Sequence, residues 1–424
     1  MSYKLDDAYR VTENLPMGPG YQRKLKYEML SKLDNLGPFQ FFFTLSCADK
    51  RWDANFASIM SQMGYLVNYK CEEVDGVFQV TVEARASGGE WKPLEDFIKE
   101  DVDESYHELI RGNVMSATRY FHHRVTQFIS KIVMAKSNLM SVKSYSWKVE
   151  FQARGAGHIH GCLHCYLEKL EELILIDGEL MPPLDEFPDA ERPMKGLSQA
   201  FTKLRLDKPL LQRDIQSLTN FINAFVTVST HGPTVGSDVA QIAREVQTHH
   251  HTHTCLKPDC RFNFPKPPAP YTIIQVPFKK EERQTFVEGQ KLIQKVMDVL
   301  KDKQVVKEIM AKYDKQSELP GVEHDEQRIA RIKEVCSLAE VNYSDYLKAL
   351  GLSGKGYTCC LTRDIDETYV NPFNVEWLRA WNGNMDLQPV LDFFAVITYV
   401  TEYYSKGDKT TYQVKKDLCI FVYI

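Results

Sequence analysis

The chain has 424 residues, 43% hydrophobic and 26% charged, with a formal net charge of −5. That length supports a large core in two or three structural units, and no apolar run approaches the roughly 20 residues of a membrane span. The N-terminus, MSYKLDDAYR, is too polar for a secretory signal, so the ten cysteines are expected as buried thiols or metal ligands in a reducing compartment.

Residues 1–34 form a polar lead-in that ends in a short helix, which Gly37-Pro38 breaks. Phe39–Ser46 is aromatic and predicts a buried strand. Residues 52–69 predict a helix, and 76–84 a second strand. Over 104–137, apolar residues recur at three-to-four spacing and predict helix. From Arg111 to Arg154 there are eight Lys/Arg against the single acid Glu150, a charge bias that attracts phosphates or simply solvates a helix face. An acidic helix and a Pro-rich connector follow over 167–192, and 197–247 is mostly helical. Residues 279–302 and 325–350 predict amphipathic helices. A strand begins at Tyr357, a turn falls at Asn371-Pro372, and a helix runs from Asp392 to Tyr404. The tail, Leu418–Ile424, is an apolar strand.

Tyr145–Tyr166 organises the rest. Tyr145, Trp147, Val149 and Phe151 alternate with polar residues, which predicts a half-buried strand. Arg154-Gly155-Ala156-Gly157 signals a turn. A second run then alternates, with His158, His160, Cys162 and His164 on one face. Pairing Gln152 with His158 leaves the loop 153–157 and sets Glu150 opposite His160. A one-residue slip would turn the histidines into the apolar face. The hairpin gathers Gln152, Glu150, His158 and His160 on one surface. Two imidazoles and an oxygen donor can hold a divalent cation; two histidines on a solvated strand face is the alternative.

Two further constellations carry chemistry. Tyr399 and Tyr403 are four apart and share a helix face, with Lys406 close behind. A phenol attacks a phosphodiester when a metal polarises the phosphate; a plain amphipathic helix is the alternative. His249, His251, Cys255 and Cys260 fit a tetrahedral, structural zinc site, although His250 and His253 are spare imidazoles. Gly351–Gly356 lacks the spacing of a phosphate loop, and Cys359-Cys360 reads as packing.

These motifs together resemble one family. Glu150-Phe-Gln-Ala-Arg-Gly-x-x-His-Ile-His160 looks like the histidine–hydrophobe–histidine (HUH) motif of the Rep endonuclease of Helitron transposons, the Helitron helicase-like N-terminal domain. His249 to Pro265 resembles its zinc-finger-like motif. Asn382–Gln388 with Tyr399, Tyr403 and Lys406 resembles its two-tyrosine motif, and Gly37–Ser46 its first strand. Many relatives carry His where Asn384 stands.

The resemblance implies an α+β fold in which a central antiparallel sheet carrying the HUH strand is flanked by helices, with a helical and zinc-binding insertion. The expected units are a lead-in (1–34), a first endonuclease part (35–170), a helical insertion (171–245), the zinc-finger-like motif (246–270), a helical segment (271–354), the tyrosine-helix part (355–415) and a tail (416–424). His158, His160 and Gln152 would bind Mg2+ or Mn2+, with Glu150 behind them. Tyr399 would cleave single-stranded DNA at transposon ends, leaving a 5′-phosphotyrosine and a free 3′-OH, with Tyr403 serving a second cleavage and Lys406 contacting phosphate. His249, His251, Cys255 and Cys260 would hold structural Zn2+. A helicase would act in cis in longer relatives or in trans, since no Walker motif occurs here. No membrane is involved, and a eukaryotic copy would be nuclear. A catalytically silent DNA-binding remnant and a rolling-circle replication initiator of a virus or plasmid are the competing expectations.

Overall fold

Six consecutive residues, FFFTLS, form strand β1 (Phe41–Ser46), buried at five of its six positions. Aromatic side chains favour a pleated surface with cover on it, and β1 has a strand on each side. In this computed structural model the described residues are 19–48, 51–74, 77–102, 104–151, 157–231, 235–251, 255, 260, 262–314 and 324–397.

The strands after β1 are β2 (Leu66–Val74), β3 (Val77–Arg85), β4 (Lys92–Pro93), β5 (Val142–Phe151) and β6 (Gly157–Cys165). Then come β7 (Ile174–Ile176), β8 (Glu179–Met181), β9 (Ile273–Pro277), β10 (Leu352–Ser353), β11 (Thr358–Cys360) and β12 (Met385–Pro389). The central sheet has the order β12-β1-β6-β5, and every pairing in it is antiparallel. The protein is thus a mixed α/β chain with antiparallel sheets and many helices.

One face of the central sheet is dry. Phe41, Phe43, Leu45, Ile159 and Leu163 are each at most 1% exposed. Phe41 packs on Phe221 of the Gln212–Phe225 helix at 4.9 Å between ring centroids. Phe43 meets Trp377 of the Val375–Trp381 helix edge-on at 6.0 Å. Phe121, Val125 and Phe128 of the Val114–Phe128 helix join the same core. A second core gathers the helices Arg283–Val299, His324–Leu338 and Tyr343–Leu350 around Ile332, Val335 and Tyr346. A third packs the Asp53–Gln62 helix on β3 through Phe56, Ile59 and Val82.

A polar hub ties the second core to the rest. Arg331 and Asp364 pair with both side chains 2% exposed. Arg363 donates to the Val370 carbonyl at 2.9 Å, and burial lowers its pKa to about 10. Glu367, 2% exposed, accepts from the amides of Thr230 at 2.6 Å and Asp364 at 2.9 Å.

Several elements differ from the expected ones. The helix expected over 52–69 stops at Gln62, because Gly64 takes φ +90°, the left-handed conformation that ends helices. Leu66–Val74 then pairs along its whole length with β3. The acidic helix after residue 166 covers only Leu167–Glu172. Beyond it, Asp177 and Gly178, both at positive φ, make the two-residue turn that joins β7 and β8. The Lys303–Asp314 helix falls within the expected helical segment, between its two expected helices, while β12 was not anticipated.

Gly161 lies opposite Phe43, whose ring crosses the space a side chain would fill, and an added Cβ would also stand 2.7 Å from the Ser146 carbonyl. Gly161→Ala is expected to lower stability by about 1–3 kcal/mol through overpacking, read as a lower urea midpoint with an unchanged slope.

Candidate functional site

The second face of the central sheet is polar. Its rows follow from the registers, since directly opposed residues share a face. Asp386, Thr44, His160 and Lys148 form one row across all four strands. Ser46, His158 and Glu150 form the next. Both histidines therefore sit on β6, an inner strand.

This register corrects the expected hairpin pairing. Glu150 stands opposite His158 rather than His160, and β5 ends with Phe151 opposite Gly157. The displacement is two residues, so every side chain keeps its face. The cause lies at Gly157. Its carbonyl accepts from Cys47 N at 2.9 Å, and the Phe121 ring occupies the space of a Cβ. Gly157 is thereby fixed as the first residue of β6. Gln152 lies outside the described residues.

The side chains converge. Ser46 Oγ lies 2.9 Å from His158 Nδ1. When Nδ1 donates to that hydroxyl, the tautomer is set with Nε2 as the acceptor nitrogen. Glu150 Oε2 lies 3.2 Å from His160 Nε2, and the two imidazoles meet edge-on at 4.6 Å. Adjacent ligands on an octahedral cation with bonds of about 2.1 Å are roughly 3.0 Å apart, so the His160–Glu150 spacing suits such an ion. His160 is 5% exposed and Thr44 9%, so this part of the face is shielded from bulk water. Lys32, from the Pro19–Leu36 helix, reaches Ser146 farther along the face.

Deeper along β6 the chemistry changes. Burial pushes the Cys162 thiol up to about 12. His164 is 1% exposed, with the Gly37 backbone against its ring. Burial, reinforced by Lys32 and Lys143, lowers its pKa to about 4. On β12, burial raises Asp386 to about 6 against the opposing effects of Gln388 and Lys266. Asp386 was not among the expected site residues. Its signal was the alternation of buried Met385 and Leu387 with Asp386 and Gln388.

His249, His251, Cys255 and Cys260 place one ligand atom each within 4.8 Å of all the others. Three separations are 3.4 Å for His251 Nδ1–Cys255 Sγ, 3.8 Å for Cys255 Sγ–His249 Nε2 and 3.5 Å for Cys260 Sγ–His249 Nε2. Tetrahedral zinc, with Zn–S about 2.3 Å and Zn–N about 2.0–2.1 Å, sets N and S roughly 3.5 Å apart. The donor set fits the ion. Phe264 stacks on His249 at 4.7 Å, and His249 N donates to the Tyr369 carbonyl at 2.8 Å. His250 is exposed and outside this group, and His253 is not among the described residues. A second group, His231, Asp366 and Glu367, also escaped sequence reasoning. In it His231 Nε2 lies 2.7 Å from Asp366 Oδ2.

Tyr399, Tyr403 and Lys406 lie outside the described residues. The described chain reaches Ile397, two residues before Tyr399. Asp392 Oδ1 accepts from Ala395 N at 3.0 Å and caps the turn of helix that begins at Phe393. Phe393 and Ile397 are 1% and 2% exposed in the main core.

Residues 2–163 match the family described as the Helitron helicase-like domain at the N-terminus. The match covers this part of the chain alone and points to a transposon-related role. It ends inside β6, beyond His160 and short of the His/Cys group and the tyrosines. No curated protein and no solved structure matches the chain. Among the described residues no helix is long and apolar enough to cross a membrane.

The His164 environment generates a pH prediction. Its folded pKa, about 4, lies below the unfolded value of about 6.5. As pH falls from about 6.5 towards 4, the unfolded chain takes up a proton that the folded chain refuses, so stability drops. His164→Leu is expected to shrink the stability loss between pH 7 and pH 4.5 by about 2 kcal/mol, measured by urea titration at both pH values.

Proposed function

We propose that the protein is a divalent-cation-dependent endonuclease and strand transferase that acts on single-stranded DNA in Helitron-type, rolling-circle transposition. The observation that carries this reading is the pairing of His158 and His160 on an inner strand with Glu150, 3.2 Å from His160, at the end of the segment matched by the Helitron family. His158 and His160 are the proposed ligands of Mg2+ or Mn2+. Gln152 remains a proposed third ligand, and Glu150, which touches His160 directly, is close enough to ligate as well. The bound cation would polarise a phosphodiester and stabilise the charge that develops on it.

Tyr399 supplies the nucleophile. Its phenolic oxygen attacks phosphorus, the bond from phosphorus to the 3′ oxygen breaks, and the strand is left as a 5′-phosphotyrosine. The phenol loses its proton to a base and the departing oxygen gains one, giving a 3′-OH. Tyr403 serves a second cleavage or the strand transfer. Because the phosphotyrosine keeps the bond energy, a 3′-OH reverses the step without ATP. Lys148 beside His160 and Lys406 after the tyrosines contribute positive charge for the phosphate. The buried anchoring of Phe393 and Ile397 supports this reading, since it ties the chain just before Tyr399 to the core beneath the sheet. A helicase, in cis or in trans, would supply single-stranded DNA.

With labelled single-stranded DNA and Mn2+, the wild type is expected to form a covalent adduct that survives denaturing gels. Tyr399→Phe combined with Tyr403→Phe, or His158→Ala combined with His160→Ala, abolishes it. Persistence of the adduct in the double tyrosine variant removes the assignment.

We also propose a structural Zn2+ on His249, His251, Cys255 and Cys260. One zinc per chain is expected by elemental analysis, and Cys255→Ser with Cys260→Ser should release it and lower the melting temperature. A variant that retains full zinc would contradict the assignment.

A further inference from the structure

We propose that Asp386 is an additional ligand to the divalent cation held on the histidine face, contributed by the C-terminal edge strand β12. This rests on the metal-dependent reading above and adds to it a residue from the opposite side of the sheet.

Three observations carry the inference. First, Asp386 pairs with Thr44, and Thr44 pairs with His160, so the three form one row on one face. Neighbouring strands are about 4.8 Å apart, which puts the Asp386 and His160 backbones roughly 9–10 Å apart. The residue between them is only a threonine. A cation between them, with metal bonds of about 2 Å to an imidazole and a carboxylate, would bridge that gap.

Second, Asp386 is incompletely satisfied. Gln388 Nε2 donates to its Oδ2 at 2.6 Å, while Oδ1 is buried with no hydrogen-bond partner. A buried orphan acceptor is costly and rare, and a cation on this face satisfies it. Third, the strand is held firmly for such a role. Gln247, fully buried, accepts from Met385 N at 2.9 Å and donates to the Met385 carbonyl at 3.1 Å. Its amide takes the place of a further strand on the outer edge of β12. Asn384 Nδ2 adds a bond to the Val246 carbonyl at 2.7 Å. The residues flanking Asp386 are therefore fixed while its carboxylate keeps an open oxygen.

The test is Mn2+ binding by the full chain, followed by electron paramagnetic resonance with one equivalent of Zn2+ present to fill the His/Cys group. Asp386→Asn is expected to weaken Mn2+ binding by roughly tenfold or more. Gln388→Ala, which removes the protein partner and keeps the carboxylate, should bind Mn2+ like the wild type. Asp386→Cys is expected to shift preference from Mn2+ to the softer Cd2+, a change that a purely structural role would not produce. Unaltered Mn2+ affinity in Asp386→Asn overturns the assignment while leaving the histidine site standing. Mn2+ binding that is indifferent to His158→Ala with His160→Ala overturns the metal reading, and this inference with it.

Discussion

Strand β1 is hydrogen-bonded on both sides, to β6 and to β12, and the rest of the structure depends on that double pairing. It joins segments that lie far apart in sequence into one sheet. Phe41 and Phe43 bury the underside against helices from the middle and the end of the chain. Phe42 and Thr44 point the other way, and Phe42 stacks beside His160 with centroids 6.0 Å apart. The same six residues therefore fill a core and floor the candidate site. A buried inner strand cannot shift by one residue without exchanging those roles, so the polar face inherits its precision from the apolar one.

The outer edge of the sheet is managed differently. An unpaired edge invites further pairing, and here the Gln247 side chain closes part of it by bonding both backbone groups of Met385. Gln247 is two residues before His249, so the His/Cys group and the edge strand are neighbours along the chain. Lys266 N, just beyond that group, donates to the Thr368 carbonyl at 2.8 Å, and Thr368 adjoins the hub of Arg363, Asp364 and Glu367. Zinc binding couples to folding wherever the site exists only in the folded chain. On that ground, order in the knuckle would bear directly on the position of β12.

The parts that were legible in the sequence were those written in local patterns. Alternation over residues 145–165 gave the strand pair and the identity of each face, because parity survives a shift by two. The register itself was not legible, because it depends on the backbone bond between Gly157 and Cys47 and on the Phe121 ring. Gly64 and Asp177-Gly178 carried turn information that the apolar pattern around them concealed. β12 has five residues and its partner strand lies far back in the chain, so no local period reveals it. The hub was equally hidden. Arg331, Arg363, Asp364 and Glu367 look like solvated residues in a sequence, and only tertiary pairing makes their burial tolerable.

His158 and His160 could equally have been two histidines on a washed strand face, and burial separates the two accounts. A solvated imidazole has no reason to be enclosed, yet His160 is 5% exposed and stands against a carboxylate. A polar surface that buries His160 against a carboxylate is expensive to maintain for stability alone. The apolar alternative was available at every one of these positions, as the opposite face of the same strands demonstrates with Phe43, Leu45 and Ile159. The proposed cation would give those groups a common partner, and the low dielectric that makes buried polar groups costly would strengthen their hold on it. The cost of the polar face and the strength with which it would hold the proposed cation follow from the same burial.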